Sequence, residues 1–202
     1  MDKKYFTDQL SAFAEKLGLT VSGEILDKAV SLASFRVVSK GSLLSAIGDD
    51  TSQTALVLSG IARCYYISED GSDMTRGFAP EGYMCMDEGL FGYRERICMW
   101  ETLEETTLMF CKTAELKALI DGSAEFKDIW IILLENAMRY KIYRENSFLT
   151  ENSAERYIRF RKMFPELSGR VPQKHIATYL GIAPESLSRI RSAMKEEQEN
   201  EQ

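Results

Sequence analysis

The sequence predicts an α+β protein: an N-terminal β-roll, jelly-roll-like, with flanking helices, then a long helix and a small C-terminal helical domain. Three observations predict it. From Phe35 to Cys111, short runs rich in Val, Ile, Tyr, Phe and Thr are broken by turn residues every eight to twelve positions. After Cys111 the apolar residues switch to a helical period. Beyond Thr150 the charge changes sign: residues 1–150 carry 16 Lys/Arg against 23 Asp/Glu, and residues 151–195 carry nine against four.

The elements follow in order. Phe6, Leu10, Phe13, Ala14 and Leu17 recur at helical spacing, with Gly18 as a stop, and predict an N-terminal helical cap. Inside the β-region, Leu58-Ser59-Gly60 and Glu69-Asp70-Gly71 are read as hairpin turns, where glycine supplies positive φ. Pro80-Glu81-Gly82 and Glu104-Glu105 separate the later strands. Leu116, Leu119 and Ile120 mark a helix, and a second runs over about 124–149. That long helix carries two apolar stripes, Ile131, Leu134, Met138, Ile142 and Ile129, Leu133, Asn136, Tyr140, Tyr143. One would cover the roll and the other a partner chain, with Asn136 fixing register if its stripe is the seam. Asn152 or Ser153 caps the next helix, whose inner face is Tyr157, Phe160, Arg161 and Phe164 and which Pro165 ends. The chain is therefore divided into 1–150, a sensor-like roll with its long helix, 151–195, a helical domain, and 196–202, an acidic tail expected to be disordered.

Bulk properties exclude several classes. The chain has 202 residues, a single histidine and a net charge of −6. No run of eighteen apolar residues and no apolar leader after Met1 are present, so the reading is a soluble, cytoplasmic protein with no membrane role. The four cysteines, Cys64, Cys85, Cys98 and Cys111, stand 21, 13 and 13 apart, which matches neither a metal motif nor a small disulfide framework. Metal and catalytic sets are both read as none, since one histidine, no phosphate-cradling glycine loop and no nucleophile elbow leave no catalytic constellation.

The sharpest motif runs from Gln173 to Arg191 and satisfies the needs of two short helices crossing steeply, a helix-turn-helix. Ala177 allows close approach, Gly181 turns the chain, and Pro184 sits in the first turn of the second helix, where its missing N–H costs nothing. Ile176, Leu180, Ile182, Leu187 and Ile190 converge on a core. With Leu187 inward, a rotation of 100° per residue sets Glu185, Arg189 and Ser192 outward on a recognition helix over about 184–195. A carboxylate accepts from cytosine N4 and a guanidinium donates to guanine O6 and N7, so these three are the candidate base contacts in the major groove. Gln173, Lys174, Ser188, Arg191 and Arg170 are the candidate phosphate contacts. The bland alternative is a helical hairpin in which Glu185 and Arg189 merely pair with each other at i, i+4.

The order of parts, with Ala154-Glu155-Arg156-Tyr157, Val171-Pro172-Gln173-Lys174 and Pro184-Glu185-Ser186-Leu187-Ser188-Arg189-Ile190-Arg191, is similar to the Crp/Fnr family of transcription regulators. The resemblance implies a homodimer joined along the long helix, a near-palindromic double-stranded DNA operator, base contacts from Glu185 and Arg189, and RNA polymerase as a further partner. Two departures stand out. The β-wing that often follows the recognition helix has no counterpart in the remaining polar residues. In nucleotide-binding members a Gly-Glu pair holds the ribose and an Arg with a small neighbour holds the phosphate, whereas here Met86-Asp87 and Arg96-Ile97 stand in those places. Arg96 alone survives, Asp87 is the nearest stand-in for the Glu, and the departure argues against a cyclic nucleotide. Arg96, Asp87, Met86, Ile97, Cys98 and Tyr83 remain the candidate walls of a pocket for an unidentified small-molecule effector, with no cofactor assigned. Two other readings stay open: a cyclic-nucleotide-responsive regulator using Arg96, and an effector-binding module that acts on protein partners with no DNA role.

Overall fold

The computed structural model describes residues 3–16 and 18–200. Helices α1 (Lys3–Lys16) and α2 (Gly23–Ser31) precede eight strands: β1 (Ser34–Val38), β2 (Leu43–Ser45), β3 (Gln53–Ser59), β4 (Ala62–Ile67), β5 (Asp73–Ala79), β6 (Met84–Cys85), β7 (Met99–Thr102) and β8 (Thr106–Lys112). Then come α3 (Thr113–Gly122), α4 (Ala124–Thr150), α5 (Ser153–Met163), α6 (Leu167–Arg170), α7 (Gln173–Leu180) and α8 (Pro184–Asn200). The N-terminal cap is two helices, and Leu17, which was read as part of its apolar face, lies outside the described residues. Helix α8, read as a recognition helix ending near 195, continues to Asn200, so most of the segment read as a disordered tail is helical.

The strands form two four-stranded antiparallel sheets, ordered β1-β8-β3-β6 and β2-β7-β4-β5. This order corrects one turn. β3 and β4 lie in different sheets, so Leu58-Ser59-Gly60 is a corner that carries the chain from sheet to sheet rather than a hairpin. Gly60 has φ +93°, and a Cβ there would stand 2.5 Å from Thr106 Oγ1 and 2.7 Å from the Glu105 carbonyl oxygen. Only glycine fits. The second turn, at Glu69-Asp70-Gly71, does join neighbouring strands, β4 and β5. The Asp70 carboxylate accepts from the Ser68 hydroxyl and from the Ser72 hydroxyl and N–H, which holds its pKa down to about 2.

Strand periodicity explains how the sheets are filled. In β3, Ala55 and Val57 point into the core between the sheets while Leu56 and Leu58 point outward, and in β8 Leu108 and Phe110 point inward while Met109 points outward. Register fixes the match, with Ala55 opposite Phe110 and Leu56 opposite Met109. The inner set, completed by Ala62, Cys64, Cys85, Cys98 and Trp100, is the core of the roll. The outer set is covered by α1 and α2, where Phe6 stacks on Phe35 with ring centroids 3.6 Å apart.

Contacts divide the chain elsewhere than between residues 150 and 151. One compact unit is Met1–Cys64 with Phe78–Asn136, and the other is Tyr65–Gly77 with Ala137–Gln202. The division falls inside α4, and the distal half of the β4–β5 hairpin belongs to the second unit. The two stripes of α4 also separate. Ile129, Leu133, Asn136, Tyr140 and Tyr143 are half-buried, whereas in the other stripe Ile131, Met138 and Ile142 are 51%, 57% and 60% exposed and only Leu134 is half-buried; Leu149, beyond both stripes, is 79% exposed. The face free to meet another molecule is therefore the one without Asn136. No described helix is long and apolar enough to cross a membrane.

Candidate nucleic-acid interface and the filled roll

In the second unit, α5 begins with a complete capping box: Asn152 Oδ1 accepts from the backbone of Ala154 and Glu155, and Glu155 returns a bond to the Asn152 N–H. Tyr157, Phe160 and Phe164 are buried as their spacing requires, but Arg161 is exposed. The helices α7 and α8 meet over Ala177 and Leu187, both fully buried, with Ile176, Leu180 and Leu167 around them. Gly181 closes α7 in the left-handed region at φ +69°, and the Ile182 N–H donates to the Ala177 carbonyl at 3.0 Å. The corner set by Gly181 aims α8.

On α8, Glu185, Arg189 and Ser192 are all exposed, and among the described residues no side-chain hydrogen bond or ion pair engages any of them. The bland hairpin reading needed Glu185 to pair with Arg189, and it does not. Beside this stripe lies an open groove of about 450 Å³ whose walls include Gln173, Ser188, Arg191 and Ser192. The same groove is lined by Tyr157, Arg161, Ser168, Met194 and Lys195. Arg161 and Lys195 were missed in the sequence, although their position in the basic block was visible. Lys174 is exposed beside Gln173 at the start of α7, while Arg170 is half-buried at the end of α6 and stands outside the groove.

A second cluster in this unit carries no sequence signal. The Arg144 guanidinium donates to the carbonyl oxygens of Arg76 and, at 3.1 Å, Tyr179, and stacks over the Tyr179 ring at 4.4 Å. Tyr140 and Tyr179 share a hydrogen bond of 2.7 Å between their hydroxyls. Burial first, and the neighbouring Tyr140 second, raise the Tyr179 phenol above the ordinary range. These bonds bind the hairpin 65–77, the end of α4 and α7 into one body.

In the first unit the six candidate pocket residues differ widely in exposure. Tyr83 is 51% and Ile97 39% exposed, whereas Arg96, Met86 and Cys98 are buried, and Asp87 is half-buried. The carboxylate that meets Arg96 is Glu88, a residue absent from the candidate pocket set. Arg96 Nη1 donates to Glu88 Oε2 at 2.7 Å and to the Met86 carbonyl at 2.6 Å, and Nη2 donates to the Gln53 carbonyl. The other carboxylate oxygen of Glu88 accepts from the Cys98 thiol at 2.7 Å and the Trp100 indole at 3.1 Å. Burial pushes the Glu88 carboxyl upward, but the hydrogen bonds from Cys98, its own backbone, Arg96 and Trp100 outweigh it and leave the pKa lowered. Met86 holds φ +57°, a left-handed conformation better suited to glycine. Among the described residues no group of three His, Cys, Asp or Glu side chains is arranged to hold a metal ion.

No family model and no curated protein sequence matches the chain. Solved structures do. The c-di-GMP responsive global regulator CLP of Xanthomonas campestris superposes with a TM-score of 0.69 at 14% identity, over 88% of this chain and 93% of that one. A transcriptional regulator of the Crp/Fnr family from Eubacterium rectale gives 0.67 at 18% identity, covering 88% and 85%. The catabolite activator protein of Thermus thermophilus gives 0.56 at 22% identity, covering 90% and 87%. With its two unclosed four-stranded sheets, flanking helices, long α4 and helix-turn-helix, the chain has the fold of the Crp/Fnr regulators and of their cyclic-nucleotide-binding β-roll.

Proposed function

We propose that this protein is a homodimeric, DNA-binding transcription regulator whose α8 reads the major groove. The observation that carries this reading is the unengaged stripe of Glu185, Arg189 and Ser192 beside a groove lined by Gln173, Ser188 and Arg191. Polar side chains held outward on a rigid helix with no internal partner are available to base edges, and the flanking hydroxyls, amide and cations suit phosphate oxygens. Lys174 and Arg170 extend the phosphate set, and Arg161 and Lys195 join it. The exposed apolar residues Ile131, Met138, Ile142 and Leu149 recur at spacings of seven, four and seven, the pattern of a helix-to-helix seam. Two copies joined there would offer two recognition helices to half-sites one helical turn apart, about 34–36 Å.

The roll works in this reading without a cyclic nucleotide. Both guanidinium ends of Arg96 are engaged by Glu88, Met86 and Gln53, so an incoming phosphate would have to expel a buried carboxylate.

Selection from a random duplex library, followed by titration of the enriched site at fixed salt, tests the DNA reading. Replacing Glu185 and Arg189 together by Ala is expected to weaken the selected site by about 1–3 kcal/mol per lost base contact while leaving non-specific binding intact. Failure to enrich any sequence, or unchanged affinity of the double variant, would reject it. Titration with cyclic AMP is expected to release no heat, and a tight complex would overturn the reading of the roll.

A further inference from the structure

Cys64 and Cys98 are 34 positions apart in sequence and meet at the centre of the roll, with their sulfur atoms 3.0 Å apart. A disulfide bond is about 2.0 Å long, so about 1 Å of approach separates this contact from a covalent one. The pair is directed. The Cys64 thiol donates to the Cys98 sulfur, and the Cys98 thiol donates to Glu88 Oε1 at 2.7 Å, so the Cys98 proton points at a carboxylate and its lone pairs point at Cys64. Cys85 shares the core of the roll with this pair, and Cys64 is among the neighbours that raise its thiol pKa after burial and Asp87, whereas Cys111 packs on the outer side against α1 and α2. Cys64 lies in β4 and Cys98 directly precedes β7, its neighbour in the sheet, so a bond between them would join adjacent strands without redirecting either.

We propose that Cys64 and Cys98 form an intramolecular disulfide and that the centre of the roll is an oxidation site for small hydroperoxides. The Cys98 sulfur attacks the terminal peroxide oxygen; the O–O bond breaks, the thiol proton passes through Glu88 to the departing oxygen, and an alcohol (water, from hydrogen peroxide) leaves a sulfenic acid on Cys98. The Cys64 sulfur then attacks the Cys98 sulfur; the S–O bond breaks, the leaving hydroxide takes the Cys64 proton as water, and the S–S bond forms. Two thiols lose two protons and two electrons, and the peroxide is reduced by the same two electrons. The Cys64 contact, burial and the Glu88 carboxylate all raise the Cys98 thiol pKa, which keeps it protonated and slow, so reaction follows local opening of the roll. Oxidation removes the Cys98 donor from Glu88 and leaves Arg96 and Trp100 as its remaining side-chain donors. It thereby reaches the buried ion pair.

The test uses the full reduced chain in two arms. In one it is treated with hydrogen peroxide; in the other it is unfolded in urea and refolded in an oxidising glutathione buffer, which removes any barrier of access. Both samples are quenched in acid, denatured, alkylated and mapped by mass spectrometry. The expected result in both arms is that two of the four thiols escape alkylation in a linked Cys64–Cys98 peptide, and that dithiothreitol restores all four. Cys111→Ser is expected to keep that protection and Cys64→Ser to abolish it. Absence of the linked peptide from either arm, or its replacement by links through Cys85 or Cys111, overturns the proposal.

Discussion

The hydroxyl oxygens of Thr75 and Thr178 lie 2.7 Å apart, which ties strand β5 of the hairpin to the first helix of the helix-turn-helix within one compact unit. The Thr75 N–H also donates to the Thr178 hydroxyl at 3.3 Å. Thr178→Val keeps the shape and removes both bonds, together with the one the Thr178 hydroxyl donates to the His175 carbonyl within α7. It is expected to cost about 1 kcal/mol and to speed amide hydrogen exchange in residues 73–77 selectively. Unchanged exchange there would mean that the hairpin is held by other contacts.

Glu88 and Arg96 are both buried and joined at 2.7 Å. Glu88→Gln leaves a buried cation without its counter-charge, and destabilisation of about 3–5 kcal/mol at neutral pH is expected from urea titration. The pH dependence has a definite sign. The folded pKa of Glu88 lies below its ordinary value of 4.5, so the unfolded chain binds more protons and stability rises with pH in that window. The contribution is complete above about pH 4.5 and is lost as pH falls through the lowered folded value. The stability gap between wild type and Glu88→Gln should therefore narrow on acidification, and a gap that widens would contradict the assignment.

The dimer seam proposed for α4 is tested at Ile142, which is 60% exposed. Ile142→Glu is expected to halve the sedimenting mass and to weaken operator binding by roughly 100-fold or more, because the second half-site no longer gains from tethering. The fold itself should be undisturbed, as judged by an unchanged circular dichroism spectrum.

Two glycines separate backbone strain from steric clash. Gly60 and Gly71 both hold positive φ, but a Cβ at Gly71 meets nothing within 4 Å, whereas one at Gly60 runs into Thr106 and Glu105. Gly71→Ala is expected to cost about 1 kcal/mol, the backbone penalty alone. Gly60→Ala should cost more, about 3 kcal/mol by urea midpoint, and equal costs would show that the corner relaxes.

Much of the scaffold was readable because it rests on local chemistry. Asn152 with Glu155, Gly181 with positive φ, and the alternation along β3 and β8 are each specified by a few neighbouring residues. What escaped depends on pairing across distance. Leu58-Ser59-Gly60 carries the same turn signal whether the next strand pairs with the last or crosses to another sheet. Asp87 and Glu88 are equally acidic, and only the short 3-10 turn over Glu88–Phe91 decides which of them is buried. Both stripes of α4 are apolar, and which one stays free depends on the strands and helices laid against the other. Arg144 and Tyr140 looked like ordinary helix residues, since their partners Arg76 and Tyr179 come from other elements.

The buried carboxylate beside Arg96 has a consequence in mass action. A diffusible anion stabilises its receptor by an amount that grows with the logarithm of its concentration, so such a receptor reports supply. Glu88 is covalently attached and has no concentration to vary. In the folded roll both Nη groups of the arginine are held by this tethered carboxylate and two carbonyls, so their occupancy by Glu88 rises and falls with folding rather than with the supply of an anion.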